Sequence, residues 1–158
     1  MSDIHAKPRR VPLPPLIYMV AIALSVVFHY LYPLPWFSTP LSDILLAVGW
    51  LALAAVFALF FTAVRAMRRA KTTLDPNGVP EHLVTSGPFS VTRNPMYFAN
   101  TLLMIGVGLI SGIAWFPVFA VLAAFTTQKL AIEREEKLLM ERFGKKYRDY
   151  AKRVRRWI

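Results

Sequence analysis

The chain has 158 residues, 56% of them hydrophobic, with a mean hydropathy of +0.43 and a formal net charge of +10. That length suits one domain, and that apolarity exceeds what an ordinary soluble domain of this size carries. Without a cysteine there is no disulfide framework, no thiolate nucleophile and no Cys-ligated metal.

Residues 1–15 are polar, basic (Lys7, Arg9, Arg10) and broken by proline, which predicts a loosely ordered tail. A charged start before an apolar run resembles a signal peptide. Here the run is long and ends in aromatics and prolines rather than a small-residue cleavage site, so it reads as a retained anchor. Residues 16–34 are almost uniformly apolar and, at ~1.5 Å per residue, about long enough to cross a ~30 Å hydrocarbon core. Tyr30, Tyr32 and Trp36 gather at the far end of the run, the level of an aromatic belt. Pro33, Pro35 and Pro40 then mark a short loop without Lys or Arg.

Residues 44–64 form a second predicted span, followed at once by Arg65, Arg68, Arg69 and Lys71. The segment 72–95 is polar and turn-rich. Uncharged sequence then runs from Asn94 to Gln128, too long for one span, and Ser111-Gly112 near its middle offers a turn. Split there, arms over 96–111 and 113–128 would each rise roughly 24–26 Å. This predicts a tight helical hairpin of two spans, with a re-entrant loop as the alternative.

Every Lys and Arg lies in the N-terminal tail, in 65–93 or beyond Gln128. With four crossings all three regions fall on one side, and the positive-inside rule makes that side cytoplasmic. The expected architecture is an all-α polytopic membrane protein of about four transmembrane helices in one domain, 1–158. Both termini would be cytoplasmic, in a bacterial inner membrane, with 72–95 and 129–158 at the cytoplasmic face.

In the last segment Leu139, Phe143, Tyr147, Tyr150, Val154 and Trp157 recur at helical steps, while Lys145, Lys146, Arg148, Lys152, Arg153, Arg155 and Arg156 crowd the rest. An amphipathic helix of this kind suits the interface, apolar stripe inward and cations near anionic lipid headgroups. Gly144 predicts a bend within it. Nucleic acid is not expected as a partner, because exposed aromatics do not interleave with the cations and membrane sidedness accounts for the charge.

The topology brings 87–97 close to Glu133, Glu135 and Glu136, since the hairpin leaves at Tyr97 and returns near Gln128. Ionisable groups at a membrane edge are costly without a role or a partner, so a site is the working expectation. Asn94 is a good N-cap and Pro95 suits the first helical position. The N–H groups there favour an anionic group, and the planar fork of Arg93 adds a full positive charge. Phe89 and Tyr97 could stack on a flat heterocycle. Each feature also has a plainer reading. Asn94-Pro95 can simply start a helix, Arg93 can be an anchor, and Glu133 with Lys137 or Glu141 with Lys145 can belong to a solvated face. His5, His29 and His82 form no evident metal cluster, so no metal site is expected. Neither a GxGxxG nor a GxxxxGK[ST] motif occurs.

The run LVTSGPFSVTRNPMY, then a hydrophobic hairpin, then EREEKLLMERFGKKYRDYAKRVRRWI resembles the isoprenylcysteine carboxyl methyltransferase family, grouped with the membrane phospholipid methyltransferases. The resemblance covers roughly 72–158. It implies S-adenosylmethionine as cofactor, held at the cytosolic membrane edge without a Rossmann sheet. By position it implies Glu81, His82, Leu83 and Val84 as one cofactor wall, and Gly87, Phe89, Asn94, Pro95, Met96 and Tyr97 as another. Glu135 would close the pocket, with Glu135 and Arg93 as the catalytic candidates. The chain departs from the family in three places. Asn94 replaces a histidine, Phe89 stands where tyrosine is frequent, and Ala131 occupies the place of a substrate-orienting arginine. The implied partner is a lipophilic small molecule or lipid acceptor within the membrane lipids. Ethanolamine-phospholipid N-methylation is the enzymatic alternative, and a non-enzymatic protein with a lipid- or partner-binding tail is the alternative of another class. Oligomeric state is left open.

Overall fold

The computed structural model describes residues 13–72 and 80–158. The tail expected over 1–15 lies outside the described residues up to position 12, as do residues 73–79 of the polar segment. Helix α1, Leu13–Leu31, starts earlier than expected because Pro14 and Pro15 sit in its first turn, where a missing N–H breaks no helical bond. It stops short of 34, ahead of Pro33 and Pro35. Helix α2, Leu41–Arg69, extends well beyond the expected 44–64. Ala66, Met67 and the arginines are good helix formers, and cations suit a helix C-terminus.

A single 3-10 turn, Gly87–Ser90, precedes α3, Pro95–Ser111. Gly112, at φ +71, closes α3 in the left-handed conformation that the predicted hairpin turn needs. Helix α4, Trp115–Thr127, then runs through a π-helical segment, Gln128–Ile132, into α5, Glu133–Phe143. After Gly144, at φ +49, comes α6, Lys145–Arg153. Among the described residues there is no strand, only an isolated parallel bridge between Thr92 and Arg155.

Among the described residues three helices are long and apolar enough to cross a membrane: α1, α2 and the continuous rod Trp115–Phe143, whose apolar part is α4 and whose charged end, from Lys129 on, lies beyond it. Helix α3 is a shorter apolar helix, packed between α2 and α4. Met19, Leu51, Phe57, Phe61, Val121 and Phe125 are all exposed. So much contiguous apolar surface is what lipid, not water, accommodates. The protein is therefore an all-α polytopic membrane protein.

Helices α2 and α3 cross at Gly49 and Gly106. A Cβ on Gly49 would come within 3.0 Å of the Gly106 carbonyl oxygen and 2.7 Å of Ile110 Cγ1. Small residues let the backbones touch, as membrane helices require where no hydrophobic drive separates protein from lipid. Tyr18, Ala21, Met104, Phe116, Ala120 and Ala123 form the core between α1, α3 and α4. At the end away from the polar segments, Trp115 Nε1 donates to the Tyr32 carbonyl at 2.7 Å, and the rings of Phe28 and Trp115 meet edge to face at 5.0 Å.

The tail differs from expectation in one respect. The bend falls at Gly144, but the helix ends at Arg153. Val154 is extended (φ −117, ψ 129), so Val154 and Trp157 do not continue the helical stripe. The chain instead lays its last residues beside 92–94, where the Arg155 and Arg156 carbonyls accept from Arg93 N, Thr92 Oγ1 and Asn94 Nδ2.

Candidate functional site

Helix α3 leaves the polar segment and α4 returns to it, so the residues before α3 meet those of α5. Tyr97 Oη donates to Glu135 Oε1 at 2.5 Å, which joins the two ends of the hairpin directly. Tyr18, from α1, supports this contact from below. Its hydroxyl hydrogen-bonds Thr101 Oγ1 at 2.7 Å and approaches the Tyr97 carbonyl at 3.2 Å. Both residues of the Tyr97–Glu135 pair are largely shielded from solvent. Burial pushes the Glu135 carboxyl above its usual value and the charge of Glu136 adds to this, while the Tyr97 hydrogen bond opposes them. Among the described residues Glu135 has no cationic partner.

Glu136 has two. Arg93 Nη1 lies 3.2 Å from Glu136 Oε1, and Arg156 grips the same carboxylate through Nε at 3.0 Å and Nη2 at 2.7 Å. Arg156 also reaches Glu133 at 3.9 Å, and Lys129 pairs with Glu133 at 2.8 Å. Arg93 Nη1 further donates to Tyr147 Oη at 3.3 Å, while its buried Nε has no partner among the described residues. Burial pushes the Tyr147 hydroxyl up from its ordinary value. An open groove of about 410 Å³ runs along this side, lined by Arg93, Glu133, Glu136, Lys137, Met140, Tyr147, Ala151 and Arg156. The two catalytic candidates thus take different partners. Glu135 turns to Tyr97 and Arg93 turns to Glu136, because neighbouring helical residues point about 100° apart.

The C-terminal segment ties the loop before α3 in place. Arg93 N donates to the Arg155 carbonyl at 2.9 Å, and Thr92 Oγ1 donates to the Arg156 carbonyl at 3.1 Å. Asn94 occupies the N-cap position of α3, but its side chain makes no capping bond. Its Nδ2 donates instead to the Arg156 carbonyl at 2.9 Å. The expected side-chain cap is corrected on this point: the Arg156 carbonyl, in the extended segment after α6, captures the amide. Among the described residues no side chain accepts from the first N–H groups of α3, and Pro95 is buried at the first helical position.

The remaining positions of the expected cofactor walls are scattered. Glu81 and His82 are exposed. Leu83 packs against the Tyr147, Tyr150 and Val154 cluster, and Val84 is buried. Gly87 is exposed at the start of the 3-10 turn, which rests on the end of α2 at Ala66. Phe89 is half-buried, and its carbonyl accepts from Tyr150 Oη at 2.6 Å. Met96 is half-buried beside Pro95. The hydrogen bonds and ion pairs of the described residues do not join Glu81–Val84 to Glu135.

A family model for phospholipid methyltransferases matches residues 44–146, from α2 into α6 and across the whole Tyr97–Glu135 contact. The chain belongs to the phospholipid methyltransferase family. It is 31% identical over 121 residues to the nickel-cobalt-cadmium resistance protein NccN of Alcaligenes xylosoxydans xylosoxydans, covering 75% of this chain and 52% of that protein. It is 33% identical over 122 residues to the cobalt-zinc-cadmium resistance protein CzcN of Cupriavidus metallidurans, covering 75% and 51%. The chain spans about half the length of these curated relatives. No solved structure matches it significantly.

Within this phospholipid methyltransferase fold, sequence reasoning missed several residues. Tyr18 and Arg156 lie outside the matched segment. Tyr18 had one signal, a phenol near the start of a mostly apolar run. Arg156 had none, being one cation among many in the tail. Gln128, which accepts from Trp157 Nε1 at 2.8 Å, was readable only as the end of the uncharged stretch.

Proposed function

We propose that the protein is an S-adenosylmethionine-dependent methyltransferase acting on a lipophilic acceptor at the cytoplasmic edge of the membrane. The observation that carries this reading is the half-buried Tyr97–Glu135 pair, a carboxylate held by a phenol with no cation beside it among the described residues. A buried carboxylate in that state fits a cationic ligand, and the cofactor carries ammonium and sulfonium centres. The unfilled N–H groups at the start of α3 fit its carboxylate. The aromatic faces of Phe89 and Tyr97 suit its adenine. When bound, this cofactor supplies a methyl group already activated for transfer.

The chain's own residues do the rest. Tyr97 fixes the Glu135 carboxylate through a short hydrogen bond, and Tyr18 holds Tyr97 through α3. Burial raises the proton affinity of Glu135, which equips it to take a proton from an amine or thiol acceptor. A carboxylate acceptor needs no such step. Arg93 is tied to Glu136 and Tyr147, so its role is to position the loop and offer charge to an anionic acceptor. The distribution of Lys and Arg supports a topology with both termini cytoplasmic.

The experiment is to incubate membranes containing the protein with methyl-labelled cofactor and separate the lipid extract. Label in ethanolamine lipids selects phospholipid N-methylation, an acceptor class in keeping with the family's description. Label in another extractable molecule selects a different lipophilic acceptor. No label in any fraction, with folded protein present, sinks the enzymatic reading in favour of a lipid- or partner-binding membrane protein. The metal-resistance names of the two relatives add a second readout, tolerance to cobalt and cadmium with and without the gene.

A further inference from the structure

The ion pairs of the described residues all gather around Glu133 and Glu136. Arg65, Arg68 and Arg69, at the end of α2, take part in none of them, and all are exposed. With Phe60, Phe61 and Val64 they line an open groove of about 660 Å³. At roughly 100° per residue, Phe57, Phe61, Val64 and Arg68 share one sector of α2, while Ala63 and Ala66 turn away from it. The burial follows that division. Phe57 is 75% and Phe61 67% exposed, whereas Ala63 is fully buried and Ala66 nearly so. The opposite face of α2 carries the contacts with α3 and the 3-10 turn, so this groove is separate from the Tyr97–Glu135 contact.

An apolar track therefore leads straight into a cluster of guanidinium groups on a surface no other described element covers. A fatty chain alongside the phenylalanines would place an attached phosphate at the arginines, and guanidinium forks match phosphate geometry. The partial negative charge at a helix C-terminus, about half a unit, is outweighed by three full positive charges. We infer that this end of α2 is a binding site for an anionic phospholipid, its phosphate on Arg65, Arg68 and Arg69 and its acyl chain along Phe57 and Phe61. The site does not depend on the methyl-transfer reading.

The test is native mass spectrometry of the purified full chain released from micelles containing equal phosphatidylglycerol and phosphatidylcholine. The wild type should retain phosphatidylglycerol in clear preference. In the Arg65→Gln, Arg68→Gln, Arg69→Gln variant that preference should disappear, with each removed cation weakening retention roughly fivefold. A variant with Lys145→Gln, Lys146→Gln and Arg148→Gln should keep the preference. Should the triple arginine variant fail to fold, Arg68→Glu alone must still lower retention at least fivefold. Phe57→Ala with Phe61→Ala should reduce retention of both lipids. The inference is overturned if the wild type shows no preference, if the arginine variants keep it, or if the tail variant loses it. Competition by soluble glycerol phosphate as effective as by the lipid would also overturn it, since the ligand would then be phosphate alone.

Discussion

Glu135 and Glu136 are consecutive residues of one helix in opposite electrostatic circumstances. Glu136 accepts hydrogen bonds from Arg156 through two nitrogens and pairs with the Arg93 guanidinium at 3.2 Å, so its charge is satisfied within the fold. Glu135 is offered only a phenol. The first arrangement stabilises structure, because removing the shared carboxylate leaves two half-buried guanidinium groups uncompensated. The second leaves a carboxylate whose charge is under-served until a ligand supplies a cation. Neighbouring acidic residues can thus divide architecture from chemistry, and substitutions at the two positions should behave differently.

The largest effect is expected where the frame around both glutamates would be forced open. Gly49→Leu drives a side chain into the Gly106 carbonyl and Ile110, and overpacking of this kind costs about 3 kcal/mol or more. Thermal unfolding in detergent should show a large fall, with loss of folded protein. Next comes Glu136→Ala, which strands Arg93 and Arg156. It should cost about 3 kcal/mol in the same assay. Glu135→Gln should leave stability unchanged or slightly raised, since it removes a charge that burial disfavours. Destabilisation by Glu135→Gln equal to that of Glu136→Ala would erase the distinction.

A pH series sharpens the same contrast. Glu135 has a folded-state pKa above its ordinary value of 4.5, so the folded protein holds that proton more tightly than the unfolded chain. Its contribution is fully present below about 4.5 and is lost as pH rises through the folded value. The wild type should therefore lose stability relative to Glu135→Gln as pH rises from about 4.5, with no compensating gain above. The smallest effect is expected at Tyr150→Phe, which removes the hydrogen bond to the Phe89 carbonyl and should cost about 1 kcal/mol. Burial pushes the Tyr150 hydroxyl up to about 12, so the difference should hold constant across neutral and mildly alkaline pH.

Much of this arrangement is legible in the amino-acid sequence. Ser111-Gly112 marked the hairpin turn, Gly144 marked the break in the tail, and the spacing of Tyr147 and Tyr150 marked the inward face that they do bury. Each of these signals is local, a turn residue or a period. The π segment at Gln128–Ile132 left no such mark, since widening a helical turn changes no residue type. It lies just before the acidic helix and so helps set which way Glu133, Glu135 and Glu136 point. The fate of Asn94 was hidden for a different reason. Its amide had an ordinary local use as a cap, and only the long-range arrival of the Arg156 carbonyl diverted it. Arg93 and Glu135 were grouped because the hairpin brings their neighbourhoods together. Sequence proximity could not say that adjacent helical positions would divide them between two partners.

The account stands most directly on the affinity of the full-length protein for S-adenosylmethionine, titrated by calorimetry in detergent for the wild type, Glu135→Gln and Tyr97→Phe. Saturable binding by the wild type is predicted, with affinity at least tenfold weaker in Glu135→Gln, weaker in Tyr97→Phe, and unfolding temperatures retained in both. Equal affinity across all three proteins, or no binding by folded wild type, would contradict it.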